Sequence, residues 1–304
     1  MSAVLRRDSR RRGRALLWVV LALAAVNQIF LAVDIYLAHN LNQKIQVGEW
    51  IPIVFGLIAG VLLLLAGWIA IKFRAIANWL ASSVFVASAV VGLLGVWFHL
   101  ERAGLPAGDI GDRLSTRLLV WGPPFLGPLM FVVVALWGLS AAWVEDPADS
   151  GRLRFFRDRT IDLPLPKTDV YFLLVGTAAM VATISAVLDH ARTGFEANAL
   201  WIPTLVGVFA AVVCWAMAAL RPVSRHDAAI FFWTMMLMVA TGLLGVLFHL
   251  DDNLTSRGVV VAERFVRGAP IMAPLLYANV GVFGIVTLMN PARDQPGVEV
   301  LVET

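Results

Sequence analysis

At 304 residues, 60% hydrophobic and only 15% charged, the chain is too apolar for a soluble globular protein and falls in the membrane class. Its net charge of +3 is not a nucleic-acid signature, because the arginines gather at the ends of apolar runs rather than on a basic, aromatic-interleaved face. The single cysteine, Cys214, lies inside an apolar run, which excludes an internal disulfide and any CxxC or CxxCH motif for zinc, redox chemistry or c-type haem.

Residues 1–14 form an arginine-rich tail carrying Arg6, Arg7, Arg10, Arg11, Arg12 and Arg14. The apolar run after it, to about residue 38, is too long for a signal peptide and has no clear small-residue cleavage site, so it reads as a first span. Further spans are predicted at about 50–71, 77–100, 118–143, 169–189, 201–220, 228–250 and 268–290. Each is close to the ~20 residues that cross roughly 30 Å of hydrocarbon. Nothing alternates as a barrel strand does, so the spans are helices. The expected fold is an all-α polytopic membrane protein with eight transmembrane helices.

With the tail in the cytoplasm, that side carries 16 Lys and Arg residues and the opposite side eight. The positive-inside rule then puts both termini in the cytoplasm of a multi-pass cell-membrane protein of the bacterial inner-membrane kind. Trp50 and Trp201 fall in the outer interfacial belt, and Trp79 and Trp143 in the inner one.

The chain repeats itself. Gly92-Leu93-Leu94-Gly95-Val96-Trp97-Phe98-His99-Leu100-Glu101 returns as Gly242-Leu243-Leu244-Gly245-Val246-Leu247-Phe248-His249-Leu250-Asp251. Trp50-Ile51-Pro52 returns as Trp201-Ile202-Pro203, each preceded eleven residues earlier by a histidine, His39 or His190. The stretch from Gly122 to Leu129, a Gly-x-Pro-x-x-x-Pro element, is answered by Gly268 to Leu275. This pattern predicts a tandem duplication of a four-helix unit, residues 15–144 and 169–290, with cytoplasmic segments at 145–168 and 291–304. An even number of spans per copy relates the halves by a pseudo-twofold axis along the membrane normal. Within the linker, Gly151 to Arg157 is expected either on the inner membrane surface or in solvent.

Four of the five histidines form two repeat pairs, and His39, His99, His190 and His249 all fall at the outer ends of spans. His226, in the expected loop before the seventh span, is given no role. At ~100° per residue, Ser88, Gly92, Gly95 and His99 share one helical stripe roughly 60° wide. Met238, Gly242, Gly245 and His249 share another, and small residues let a second helix approach, so the histidines are expected to face protein. Histidine is the commonest metal ligand and also ligates haem iron, so a metal ion or haem b is the suspected cofactor. The competing reading is an interfacial polar cap satisfied by water or a carbonyl.

Glu101, Asp189 and Asp251 neighbour these histidines as candidate second-shell partners or proton acceptors. Asp34 joins them as an acid within a span, with Asn27 two turns earlier on its face. The Gly-x-Pro elements are expected to open the fourth and eighth helices, with Arg117 and Arg267 just ahead, an arrangement suited to an anion or haem propionate. Packing alone is the bland alternative. Met235, Met236 and Met238 point in different directions on one helix, as packing or lipid contact requires. There is no Walker loop, dinucleotide fingerprint, HExxH or GxSxG motif.

Three function classes remain: a metal or haem site serving electron transfer or metal handling, with a quinone, an external redox protein or other membrane subunits as partners; a small-solute or ion transporter; and a membrane anchor or assembly subunit. Scarcity of ionisable residues in the spans weighs against transport. The topology has its own check: a reporter fused after Thr304 is expected to read cytoplasmic, and an outer-side signal would reverse the assignment.

Overall fold

The structure, a computed structural model, describes residues 3–40, 44–104, 120–121, 124, 126–147, 149–156, 159–220, 223–254, 261, 263–264 and 268–288, with side chains from residue 17 onward except at 102–104 and 156. Helices dominate them: α1 (Ala3–Asn40), α2 (Trp50–Ala70), α3 (Arg74–Gly104), α4 (Leu126–Ala142), α5 (Lys167–Ala191), α6 (Trp201–Ala219), α7 (Arg225–Asn253) and α8 (Met272–Thr287). Six of these, α1 to α3 and α5 to α7, are long and apolar enough to cross a membrane. The remaining two, α4 with 17 residues and α8 with 16, are apolar but shorter. The protein is therefore an all-α membrane protein in its spanning part.

Local sequence explains several helix limits. Ser224 and Asp227 form a reciprocal cap, with Asp227 N donating to Ser224 Oγ at 3.2 Å and Ser224 N to Asp227 Oδ2 at 2.8 Å. That cap starts α7 at Arg225, earlier than hydropathy predicted, and puts exposed His226 in its first turn rather than in a loop. Helices α4 and α8 start between the two prolines of each Gly-x-Pro-x-x-x-Pro element, which places Pro128 and Pro274 in the first turn. A proline there lacks only a donor that would have gone unpaired. Helix α4 therefore begins later than residue 118, where a fourth span was expected.

The first four helices pack in a ring, α1 on α2, α2 on α3, α3 on α4 and α4 on α1. The last four do the same, α5 on α6, α6 on α7, α7 on α8 and α8 on α5. Contacts of α4 with α5 and of α1 with α8 join the two rings. Buried Leu21, Leu63, Phe85 and Val134 centre the first core, and Phe172, Cys214, Phe231 and Met235 the second. Met238 is buried with the second set, while Met236 is partly exposed. Outer faces of α2, α3, α6 and α7 expose large apolar side chains such as Trp68, Trp97, Leu205 and Trp233, the surface lipid covers.

Between α1 and α8, Asn27 Nδ2 donates to Asn279 Oδ1 at 2.9 Å and Asn279 Nδ2 returns a hydrogen bond to Asn27 Oδ1. In the first ring, Gln28 Nε2 donates to Ser88 Oγ at 2.7 Å, and Ser88 Oγ to the Phe131 carbonyl at 3.0 Å. Such bonds between membrane helices contribute roughly 0.6 kcal/mol on average, up to about 1.7.

The linker, expected either on the membrane surface or in solvent, carries strands that the sequence did not predict. It folds as a three-stranded antiparallel sheet, β1 (Val144–Glu145), β2 (Arg152–Phe156) and β3 (Arg159–Asp162). Alternation in β2 drives it, since Leu153 is buried while Arg152 and Arg154 point out to Asp162 and Asp146 at 2.8 and 3.2 Å. The sheet is tied to α5 through Glu145 Oε1, which accepts from the Gly151 and Lys167 backbone N–H groups at 2.8 and 3.0 Å. The buried Lys167 Nζ donates to the Trp143 carbonyl at 2.9 Å.

Close helix contacts lie along the glycine stripes. A Cβ added at Gly95 would sit 2.7 Å from Pro128 Cβ, and one at Gly245 would sit 2.7 Å from Pro274 Cβ. A Cβ at Gly242 would meet the Pro274 carbonyl oxygen at 2.7 Å, while one at Gly127 meets nothing within 4 Å. Gly242→Val is expected to lower stability in detergent by about 1–3 kcal/mol through overpacking. Gly127→Ala is expected to be neutral or slightly stabilising, and equal melting of the two variants would remove the packing role.

Candidate functional site

The four paired histidines end helices or stand close to their ends, and each turns Nδ1 onto a backbone carbonyl. His99 Nδ1 lies 3.0 Å from the Pro124 carbonyl oxygen and His249 Nδ1 2.8 Å from that of Pro270. His190 Nδ1 lies 3.1 Å from the Leu200 carbonyl oxygen, and His39 Nδ1 3.0 Å from that of Ile35, one turn earlier in its own helix. A carbonyl only accepts, so each Nδ1 carries the proton and donates it. Nε2 is then the nitrogen of each neutral ring that holds a lone pair.

Two of the four acceptors lie just ahead of a helix start. Pro128 and Pro274 have no N–H, so neither can donate to the carbonyl four residues back, at Pro124 or Pro270. His99 and His249 donate to those carbonyls. Pro270 O also accepts from Ala273 N at 3.3 Å. Asn253, buried one turn after His249, holds the same loop: its Nδ2 donates to the Ala269 carbonyl at 2.7 Å and its Oδ1 accepts from Ala269 N at 2.9 Å. Sequence reasoning missed Asn253 because position 103, its counterpart in the repeat, is alanine.

The structure brings His39 and His99 together, with ring centroids 5.9 Å apart and planes at 83°. His190 and His249 are close enough for their charges to interact, as are Asp189 and His249. Aromatic rings support each pair: Tyr36 lies 6.2 Å from Trp50, and Phe195 stacks on Trp201 at 4.3 Å while standing edge-on to His190 at 6.0 Å. His39 and His99 thus meet in the first half, and His190 and His249 lie within electrostatic range of each other in the second.

The acids take varied places. Glu101 and Asp251 are exposed near the ends of α3 and α7. Asp189 is half-buried and pairs with Arg192 at 3.7 Å, and Arg192 Nε donates to the Val120 carbonyl at 2.8 Å. Asp34 is half-buried on α1 and lies within electrostatic range of Asp189. At the four Nδ1 positions the partner is a carbonyl rather than any of these carboxylates. Arg117 and Arg267 lie outside the described residues. Among the described residues, no three or more His, Cys, Asp or Glu groups converge as a set able to hold a metal ion.

Fold and site together define the class, a polytopic helical membrane protein with paired, tautomer-fixed imidazoles at one end of the bundle. No known family, curated protein sequence or solved structure matches the chain. In protein carrying 15N-labelled histidine under mildly alkaline conditions, four rings are expected to show Nε2 unprotonated and Nδ1 protonated. Exposed His226 is expected to show averaged tautomers. Protonated Nε2 at the four paired positions would refute the arrangement.

Proposed function

We propose that this chain is an eight-span membrane protein built from two copies of a four-helix unit, with a histidine pair in each copy that binds a metal ion or haem for electron transfer or metal handling. Both termini lie in the cytoplasm and the histidines at the outer face of a bacterial-type cell membrane. The electron-transfer partner is a membrane quinone or an external redox protein.

The single observation that carries this reading is the common tautomer: four imidazoles, each with Nδ1 donated to a backbone carbonyl, leave Nε2 as the ligating nitrogen in every ring. Such an outer hydrogen bond fixes ring orientation and makes Nε2 more basic, as metal sites require. Correspondence between the halves supports the duplication: Pro128 packs on Gly95 as Pro274 does on Gly245, and His99 meets Pro124 as His249 meets Pro270. The two ring-to-ring joints, α4 with α5 and α8 with α1, are exchanged by the proposed pseudo-twofold, which supports that axis.

Elemental analysis and an optical spectrum of detergent-purified protein test the function. A stoichiometric metal or chromophore is expected, reduced by His39→Ala with His99→Ala, reduced by His190→Ala with His249→Ala, and abolished by all four. Protein with no metal or chromophore, and a quadruple variant that behaves as wild type, would sink the reading in favour of transport or anchoring.

A further inference from the structure

The linker sheet presents one exposed edge. Strand β3 (Arg159–Asp162) is paired, among the described residues, with β2 alone, and all four of its residues are exposed, Ile161 to 41%. Leu163 N donates to the Gly151 carbonyl at 2.8 Å, and Ile161 stands opposite Leu153 in the same register. Alternation along an antiparallel ladder then turns the backbone groups of Ile161 towards β2 and those of Thr160 and Asp162 outward. An edge of that kind is a template for a further strand.

We infer that residues 298–303 of this same chain fill it, as a fourth strand antiparallel to β3. Three observations carry the inference, and none depends on the histidine pairs. The first is the sequence: Val298, Val300 and Val302 alternate with Glu299, Leu301 and Glu303 after a Pro296-Gly297 pair, a β-branched period of two behind a turn signal. The Gly-x-Pro elements ahead of α4 and α8 open 146 residues apart, at Gly122 and Gly268, and the same spacing carries Arg152 of β2 to Val298 and Phe156 to Val302. At the place of β1, however, that spacing puts Asn290 and Pro291, and proline has no donor for a ladder. A strand at 298–302 must therefore find its partner elsewhere.

The second observation is position. Helices α4 and α8 end side by side: the Trp137 and Phe283 rings stand 3.8 Å apart, and Val286 is buried in one core with Ala141 and Ala142. Strand β1 begins at Val144, just after α4 ends at Ala142, so the chain beyond α8 sets out beside the base of the sheet. Residues 289–297 reach up to about 30 Å when extended, several times the ~5 Å between neighbouring strands.

The third is complementarity. With Leu301 opposite Ile161, antiparallel pairing sets Glu303 opposite the exposed Arg159, which gives one apolar pair and one pair of opposite charge. Val300 and Val302 then meet Asp162 and Thr160, the two residues whose backbone groups point outward.

Hydrogen exchange on the detergent-purified full-length protein tests the strand. The Thr160 and Asp162 amides are expected to exchange roughly tenfold or more slowly than in a Val300→Pro with Val302→Pro variant, which removes both donors from the new ladder. Arg159→Glu is expected to speed that exchange and Glu303→Arg, added to it, to slow it again. In a chain with Cys214→Ala, Ile161→Cys and Leu301→Cys are expected to join within one molecule on mild oxidation, since facing residues at such a position stand about 4.5 Å apart. Thr160→Cys with Leu301→Cys, on opposite faces, is expected to stay reduced. Fast exchange at both amides of the unsubstituted chain would overturn the inference. Slow exchange that survives the double proline change would overturn it too, by giving the edge to another occupant. A disulfide formed only between two molecules would hand the strand to a second copy and refute pairing within the chain.

Discussion

One backbone acceptor ahead of each short helix organises the histidine end of this protein. The Pro124 and Pro270 carbonyls lie just before α4 and α8, outside the helical ladder, and His99 and His249 donate to them. In hydrocarbon or at its edge an unpaired carbonyl costs a few kcal/mol. Prolines in the first turns of those helices press on glycines of the neighbouring helix, Pro128 on Gly95 and Pro274 on Gly245. That contact sets the helices close enough for the histidine one turn beyond each glycine to reach the carbonyl. Gly95, His99, Pro124 and Pro128 therefore act as one unit, and Gly245, His249, Pro270 and Pro274 as its counterpart.

Outside that unit the two halves use different chemistry. In the first ring a fully buried Gln28 is bonded to Ser88, and Ser88 to Phe131 O, tying α1, α3 and α4 together. The residues that the repeat places opposite Gln28 and Ser88 are Ala179 and Met238, both buried in the apolar core of the second ring. Polar links resist slippage between helices that apolar packing alone leaves free to slide. The first ring is thus held by hydrogen bonds as well as shape at these positions, where Ala179 and Met238 of the second contribute packing alone. Asn27 and Asn279 then couple α1 to α8 across the joint.

Much of the spanning architecture was legible because its physics is local and repetitive. Apolar runs of span length, the glycine stripes and the inward turn of Ser88 and His99 follow from composition and helical phase. Other features were hidden. The sheet at 144–162 rests on short strands whose pattern, Arg-Leu-Arg-Phe-Phe, is too brief to separate from a surface segment without knowing that Asp146 and Asp162 lie beside its arginines. The starts of α4 and α8 were placed too early because hydropathy runs straight through the prolines. A backbone carbonyl was one of the partners the sequence allowed for the histidines, but which carbonyl could not be read, since a backbone acceptor leaves no mark on residue identity.

The short helices give that end of the bundle a structural role. At 17 and 16 residues, α4 and α8 are about 25 Å long, less than the roughly 30 Å of a bilayer core, while the helices around them are longer. Backbone outside a helix is tolerated at membrane depth only when protein satisfies it. His99, His249 and Asn253 donate to carbonyls just ahead of these two helices, at Pro124, Pro270 and Ala269. His39 is different, because its Nδ1 bond stays within α1 and holds no second element. Removing the His99 or His249 ring therefore loosens a loop as well as deleting a nitrogen, whereas removing the His39 ring deletes a nitrogen and leaves the loops anchored. For the proposed ligation, His39 is therefore the position at which loss of a ligand separates most cleanly from loss of structure.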